Sequence, residues 1–276
     1  MAISAVTNTV LDVLLIVVFG MGVEGAALAT VVSQAVACVF IIRYLLTTEG
    51  EYRVQLKDIR PERTTIGEML RIGLPTGLQN TLMSLSNVVI QSAINSFGPT
   101  LMAANAAYSK LDGFNILPVI SFSNAITTFS GQNMGAKKPE RVKTGLYVTL
   151  AMGIGYVLVT GTLIMIFGKP LMRIFVNEDP VIELGLYIMR FFCPFFALNT
   201  AMHLMSGAVR GTGRTVPPML IMLFFLCVFR IVWVNVTLRL FGEMFWVFAS
   251  YPVSWVLTDI ALITYLRRSN WLECEA

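Results

Sequence analysis

The sequence predicts an all-α integral membrane protein with eight transmembrane helices. Of its 276 residues, 56% are hydrophobic and only 13% are charged, about half of the ~25% that is usual in a soluble domain. Three long segments, residues 72–109, 113–136 and 144–168, contain no charged residue. Each is at least as long as the ~20 residues that a helix needs to cross the hydrocarbon core of a bilayer. So many uncharged segments exclude an ordinary soluble domain.

Five stretches rich in glycine and proline, together with the polar segments 47–67 and 131–143, divide the chain into eight segments of spanning length. These stretches read GMGVEG at 20–25, SFGPT at 96–100, GKP at 168–170, GTGRTVPP at 211–218 and FGE at 241–243. Between them we expect helices over residues 3–20, 25–46, 68–97, 101–130, 140–168, 180–208, 215–239 and 244–266.

The longest polar segment predicts the domain organisation. We assign residues 1–46 to a two-helix piece, 47–67 to a cytoplasmic linker, 68–268 to a six-helix unit and 269–276 to a cytoplasmic tail. A faint repeat supports this division, because LIVVFGMG (15–22) resembles TLRLFGEM (237–244). Repeated halves are common in secondary transporters. The repeat would make the first two helices the end of a six-helix half whose first four helices are missing here.

The basic residues predict the orientation in the membrane. With eight spans, four basic regions fall on one side: the 47–67 connection with its flanks, the 131–143 loop, the loop at Arg210 and Arg214, and the end at Arg267 and Arg268. The positive-inside rule then places both termini in the cytoplasm of a multi-pass plasma-membrane protein. The net charge of +4 is explained by these loops and does not indicate a nucleic-acid partner.

A polar group inside the first two helices predicts a cation site. Asn8 and Asp12 are four residues apart and share one helix face. In an antiparallel pair that turns near Met21, Thr30 lies at the depth of Asp12, about 14 Å from the turn. A carboxylate near the bilayer centre costs about 2.5–3.5 kcal/mol and usually marks an ion or proton pathway. The alternative is a structural hydrogen bond from Asp12 to a neighbouring helix.

A polar stripe on the third helix predicts the wall of a substrate cavity. Its members recur at steps of three or four residues: Thr76, Asn80, Ser84, Asn87, Gln91 and Asn95. In lipid such a face must point at protein or at water. Hydrogen bonding between helices is the open alternative.

Other intramembrane charges are Lys110, Asp112, Arg190, Arg230 and Asp259. Lys110 and Asp112 are candidates for neutralising a common site, although a two-residue spacing does not make them face each other.

The four cysteines lack metal-ligand spacing and are interpreted as apolar filling. We find no serine–histidine–acid set, no H-E-x-x-H and no Walker A motif, so we expect neither an enzyme, nor a cofactor, nor a metal beyond Na⁺ at Asp12.

Four stretches resemble the multidrug and toxic compound extrusion (MATE) family. They are NTVLDVLLIVVFGMGVEGAALATVVSQ (8–34), IGLPTGLQNTL (72–82), FSGQNMGAKKPER (129–141) and SGAVRGTGRTVPP (206–218). The resemblance implies twelve helices in two six-helix lobes around a central cavity. This chain would supply helices five to twelve and lack helices one to four.

The resemblance also implies a site and a function. Asn8, Asp12 and Thr30 match the family's N-lobe cation site, whereas Met83 and Asn199 stand where some members carry C-lobe acids. Export of amphipathic or cationic organic compounds in exchange for Na⁺ or H⁺ is the expected function, with Asn199 among the cavity candidates. The alternatives are a lipid-linked saccharide flippase and an inactive or scaffolding membrane fragment. The expected partners are small organic substrates and the lipid bilayer.

Overall fold

The computed structural model describes residues 2–50, 53–55, 57 and 62–272. The chain forms two compact units, residues 1–66 and 67–276, and the boundary lies near the start of a long helix. The expected division into a two-helix piece, a linker and a six-helix unit remains a prediction.

The first unit is a helical hairpin. Helix α1 spans Ala2–Asp12 and continues as a π-helix over Val13–Val18, and α2 spans Gly22–Thr47. The turn between them needs glycine, because Gly20 and Gly22 both have left-handed backbones with φ of 66° and 58°. Side chains other than glycine avoid this region. The glycine-rich stretch that divides these helices in the sequence is therefore required by the turn itself.

Small residues on α2 allow the hairpin to pack closely. The buried positions of α2 recur every four residues, at Gly25, Ala29, Ser33 and Ala37. A Cβ atom added at Gly25 would lie 3.2 Å from the backbone carbon of Leu15. Contact through small residues is a common way for membrane helices to approach each other.

The second unit contains the remaining helices of the described chain. Their bounds are α3 Arg63–Asn95, α4 Pro99–Gly135, α5 Pro139–Arg173, α6 Asp179–Phe192, α7 Phe196–Gly211, α8 Val216–Met222, α9 Arg230–Leu240 and α10 Met244–Arg268. Helix α3 thus begins inside the 47–67 segment that the sequence assigns to a linker. At the α9–α10 turn Gly242 has φ of 65°, nearly the value at Gly20, its counterpart in the faint repeat.

Besides the first expected helix, which turns into a π-helix at Val13, two more of the expected helices are interrupted. A 3₁₀ turn at Cys193–Phe195 separates α6 from α7. Pro194 lies in it and, lacking a backbone N–H, cannot continue the α-helical hydrogen bonding. A π-helix at Leu223–Phe229 joins α8 to α9. Counting each interrupted rod once, the described residues form eight helical rods, in the order and near the bounds expected from the sequence.

The core of the second unit is centred on the contact between α4 and α7. A Cβ atom at Gly207 would lie 2.7 Å from the Ser123 hydroxyl, and one at Gly211 would overlap the Thr127 carbonyl. Ser123 and Thr127 donate hydrogen bonds to the carbonyls of His203 and Gly207, over 2.8 Å and 2.9 Å. The serines and threonines of α4 thus join the two helices through backbone carbonyls.

Five rods of the described chain are long and apolar enough to cross a membrane. They are Gly22–Thr47, Pro139–Arg173, Asp179–Gly211, Val216–Leu240 and Met244–Arg268. The apolar helix Ile3–Val18 is shorter than this class requires, and α3 and α4 carry many polar residues. The protein is therefore a multi-pass membrane protein, and the count of eight spans remains a prediction.

Candidate cation site and cavity wall

Asn8 and Asp12 both carry a buried polar atom that lacks a partner. The Nδ2 atom of Asn8 and the Oδ1 atom of Asp12 have almost no solvent-accessible surface and no hydrogen bond to any described residue. The two side chains lie one turn apart on α1 and are half-buried. A polar atom buried without a partner is costly, and native proteins leave few of them. Each such atom calls for a ligand, a water or a partner from elsewhere.

The Thr30 side chain presents oxygen lone pairs in the same hairpin. Its hydroxyl donates to the Ala26 carbonyl over 2.9 Å, so its hydrogen is used and its oxygen remains free to accept. Thr30 is exposed, in contrast to Asp12. The contact between Gly25 and Leu15 sets the hairpin register and places Thr30 about two residues, or ~3 Å, from the level of Asp12.

The chemistry of this group suits a small hard cation or a proton. Na⁺ is a hard cation, and hard cations take oxygen ligands such as carboxylate, amide carbonyl and hydroxyl oxygens. Asp12, Asn8 and Thr30 offer one of each kind. The π-helix begins at the residue after Asp12, and π-helical turns are frequent at functional sites. Their assignment as the cation site remains a prediction.

The α3 stripe expected to line a cavity is exposed over most of its length. Asn80, Ser84, Asn87, Gln91 and Asn95 all lie on an exposed face of α3. At its far end Gln91 donates to Asn95 over 2.8 Å and accepts from Asn105 of α4 over 3.2 Å. Through Gln91 the stripe is joined to α4 at this end.

The hydrogen bonds between α3 and the α8–α9 rod use a different face of α3, which the sequence did not single out. Gln79 donates to the Met222 sulfur over 3.0 Å, and Ser86 donates to the Leu226 carbonyl over 3.1 Å. Both side chains are buried. They lie one residue before Asn80 and Asn87, about 100° around the helix, a difference that the polar pattern alone does not resolve.

Lys110, Asp112 and Asn199 lie in different surroundings. The Lys110 ammonium is exposed and sits 5.6 Å from the centre of the Phe175 ring. Asp112 is half-buried and interacts electrostatically with Tyr108, Cys193 and Tyr251. Asn199 is half-buried on α7. The first two side chains therefore contact separate sets of neighbours, as their two-residue spacing suggests.

Arg230 is a buried charge held by neutral groups. Its side chain is 5% exposed, and its Nε and Nη2 atoms donate to the Ser254 hydroxyl over 3.2 Å and 2.7 Å. The guanidinium also lies 4.3 Å from the centre of the Tyr251 ring, a cation–π contact. The second unit thus stabilises this cation through hydrogen bonding and an aromatic face.

Comparison with known proteins finds a family model and relatives that match much of the chain. A sequence model of the MatE family matches residues 75–237. The probable multidrug resistance protein YpnP of Bacillus subtilis is 28% identical over 275 residues, which are 98% of this chain and 60% of YpnP. The probable multidrug resistance protein NorM of Thermotoga maritima is 29% identical over 204 residues, 73% of this chain and 43% of NorM.

The fold agrees with that of a solved transporter. A multidrug resistance MATE family transporter in the outward-facing conformation superposes with a TM-score of 0.88, at 22% identity, over 97% of this chain and 60% of that one. At this identity the comparison establishes the fold alone. The chain spans about half of the length of the curated relatives that it matches.

Proposed function

Because the chain belongs to the MatE family, we propose that it forms part of a secondary transporter that exports amphipathic or cationic organic compounds in exchange for Na⁺ or H⁺. Two relatives are described as probable multidrug resistance proteins, and others as multidrug export proteins. The proposed activity is movement of a solute and involves no covalent chemistry.

The coupling half of the proposal rests on the unpartnered Asp12 Oδ1 atom. A membrane hairpin that keeps a carboxylate without a partner is stabilised when a cation or a proton neutralises it. Binding there favours whichever conformation offers the ion the better site. Asp12 is the coupling residue in this scheme, and Asn8 and Thr30 complete its oxygen set.

The exposed stripe on α3 supports the substrate half. Amide and hydroxyl groups on an apolar helix are stable in a membrane when they face water or protein. A wall of neutral hydrogen-bonding groups accepts many organic compounds because it demands no single charge pattern. We assign Asn80, Ser84, Asn87, Gln91 and Asn95 to this wall, with Lys110, Asp112 and Asn199 as further candidates on α4 and α7.

The placement in the membrane completes the proposal. The basic loops favour a plasma-membrane protein with both ends of the described chain in the cytoplasm. The match to 60% of YpnP supports a transporter whose further helices, equivalent to helices one to four, complete the cavity. In alternating access this cavity opens to one side of the membrane at a time.

Transport in liposomes tests the proposal. The chain, joined to the remaining part of YpnP, is reconstituted and loaded with a fluorescent organic cation, and Na⁺ and pH gradients are varied independently. We expect cation export that follows one of the two gradients. Export that ignores both gradients, or movement of a lipid-linked saccharide in place of the cation, would contradict the proposal.

A further inference from the structure

The second unit contains a cavity that is separate from the α3 stripe. Its volume is about 820 Å³, and it lies between α5, α7 and α10, with residues 269–272 forming part of its wall. Sites for small organic molecules have volumes of about 300–1,000 Å³. None of the candidate residues of the cation site or of the cavity wall described above lines it.

The walls of this cavity are mainly apolar. Leucine, isoleucine and methionine side chains come from all three helices, and two aromatic side chains, Tyr147 and Trp271, contribute as well. Trp271 follows the end of α10 and is 6% exposed, so residues 269–272 are folded back onto the unit. Such a lining suits a hydrophobic ligand body.

One acidic side chain stands in this apolar wall. Asp259 lines the cavity and is 5% exposed, and neither of its carboxylate oxygens has a hydrogen-bond partner among the described residues. No lysine or arginine of the described chain lies within 4.0 Å of it. A carboxylate in such surroundings is stabilised only by a counter-charge or by a proton.

The other charged side chains of the cavity lie at one end. Glu140 and Lys143 belong to the first turns of α5, and Arg267 belongs to the last turn of α10. Asp259 lies eight residues before Arg267, about 12 Å along the helix axis. The cavity thus runs from a charged rim at the end of the helix bundle to a single carboxylate farther inside.

We propose that this cavity binds a hydrophobic organic cation, whose positive charge pairs with Asp259 while its apolar body contacts the walls. A metal ion does not fit, because hard cations need several oxygen ligands and the inner wall offers one carboxylate. A lipid chain would fill the volume but leave the carboxylate unpaired. This site rests on the cavity itself and does not depend on transport through Asp12.

Binding of two ions of equal shape and opposite charge tests this site. The chain is purified in lipid nanodiscs, and binding of radiolabelled tetraphenylphosphonium is compared with binding of tetraphenylborate after subtraction of empty nanodiscs. We expect saturable binding of the cation alone. In Asp259→Asn the affinity should fall at least about tenfold, the ratio that corresponds to ~1.4 kcal/mol, whereas Asp259→Glu should retain binding.

Three further variants complete the test. Ala201→Phe leaves Asp259 in place but fills part of the cavity, so it should also weaken binding. Glu183→Gln removes an exposed carboxylate of α6 that does not line the cavity, and it should bind as wild type does. Asp12→Asn should keep the Asp259-dependent binding even where it abolishes transport, which separates this proposal from the previous one.

Three outcomes would overturn the proposal. One is equal cation affinity in wild type and in a folded Asp259→Asn chain. Another is undiminished binding in Ala201→Phe, which decides the matter if Asp259→Asn fails to fold. The third is a retained lipid, detected by native mass spectrometry in wild type but not in Ala201→Phe, together with no saturable cation binding.

Discussion

At the scale of single residues, the buried charges differ in whether other side chains stabilise them. Arg230 has hydrogen bonds from its guanidinium to Ser254 and an aromatic face at Tyr251. The Asp12 Oδ1 atom has no partner among the described residues. A buried charge is stabilised by its partners. A buried charge without partners lowers the stability of the fold, and a functional role explains why the protein retains it. This contrast leads to two predictions.

Replacing Asp12 by asparagine should stabilise the hairpin. The substitution removes an unpaired charge and keeps the shape of the side chain, so we expect a gain of about 1 kcal/mol in thermal unfolding at neutral pH in the absence of Na⁺. Thr9→Val is the control, because the Thr9 hydroxyl only donates to Ala5 of its own helix. A clear loss of stability in Asp12→Asn would instead support a structural hydrogen bond.

Replacing Ser254 by alanine should destabilise the second unit. The Ser254 hydroxyl accepts both guanidinium hydrogen bonds of Arg230, and hydrogen bonds to charged groups contribute about 1.5–3 kcal/mol. Ser250→Ala is a matched control one turn earlier on α10, since its equally buried hydroxyl only donates to Val247 of the same helix. Equal losses in the two variants would show that Arg230 does not depend on Ser254.

At the scale of helices, sequence patterns predicted an all-helical chain but not the interruptions of its helices. Glycine and proline mark the turns, and length with hydropathy marks the rods between them. The π-helices at Val13–Val18 and Leu223–Phe229 leave no such mark, because both segments are uniformly apolar. Pro194 could have indicated the break after α6, since proline inside a helical pattern kinks or ends it.

The close contact of α7 with α4 predicts an intolerant glycine. A Cβ atom at Gly211 would overlap the Thr127 carbonyl, so Gly211→Ala should cost about 1–3 kcal/mol in thermal unfolding. Gly155→Ala on α5 is the matched control, because nothing lies within 4 Å of its added Cβ, and there alanine should be neutral or slightly stabilising. A neutral Gly211→Ala would refute the packing described here.

Thiol labelling tests whether the α3 stripe faces water. In a chain whose native cysteines are replaced by serine, single cysteines at Asn80, Asn87 and Gln91 should react with a membrane-impermeant thiol reagent. Val88→Cys is the matched control: Val88 is 64% exposed, and as an apolar neighbour of the stripe it is expected to face lipid. Equal labelling at all four positions would remove the reason to assign the stripe to a water-filled cavity.

At the scale of the whole molecule, the sequence could single out candidate residues where they lie close together along one helix. Asn8, Asp12 and the α3 stripe stand out because each repeats at helical spacing on an apolar background. The Asp259 cavity could not be predicted in this way. Its walls come from α5, α7, α10 and residues 269–272, and only tertiary packing brings an isolated aspartate to such a cavity.

A comparison of ion-driven export with passive exchange tests the role of Asp12 in coupling. Proteoliposomes that carry the chain joined to the remaining part of YpnP are prepared with wild-type sequence, Asp12→Asn or Asp12→Glu. We expect Asp12→Asn to exchange labelled organic cation across the membrane but to lose all accumulation driven by Na⁺ or pH gradients, and Asp12→Glu to retain part of it. Full gradient-driven export by Asp12→Asn would contradict the assignment of Asp12 as the coupling residue.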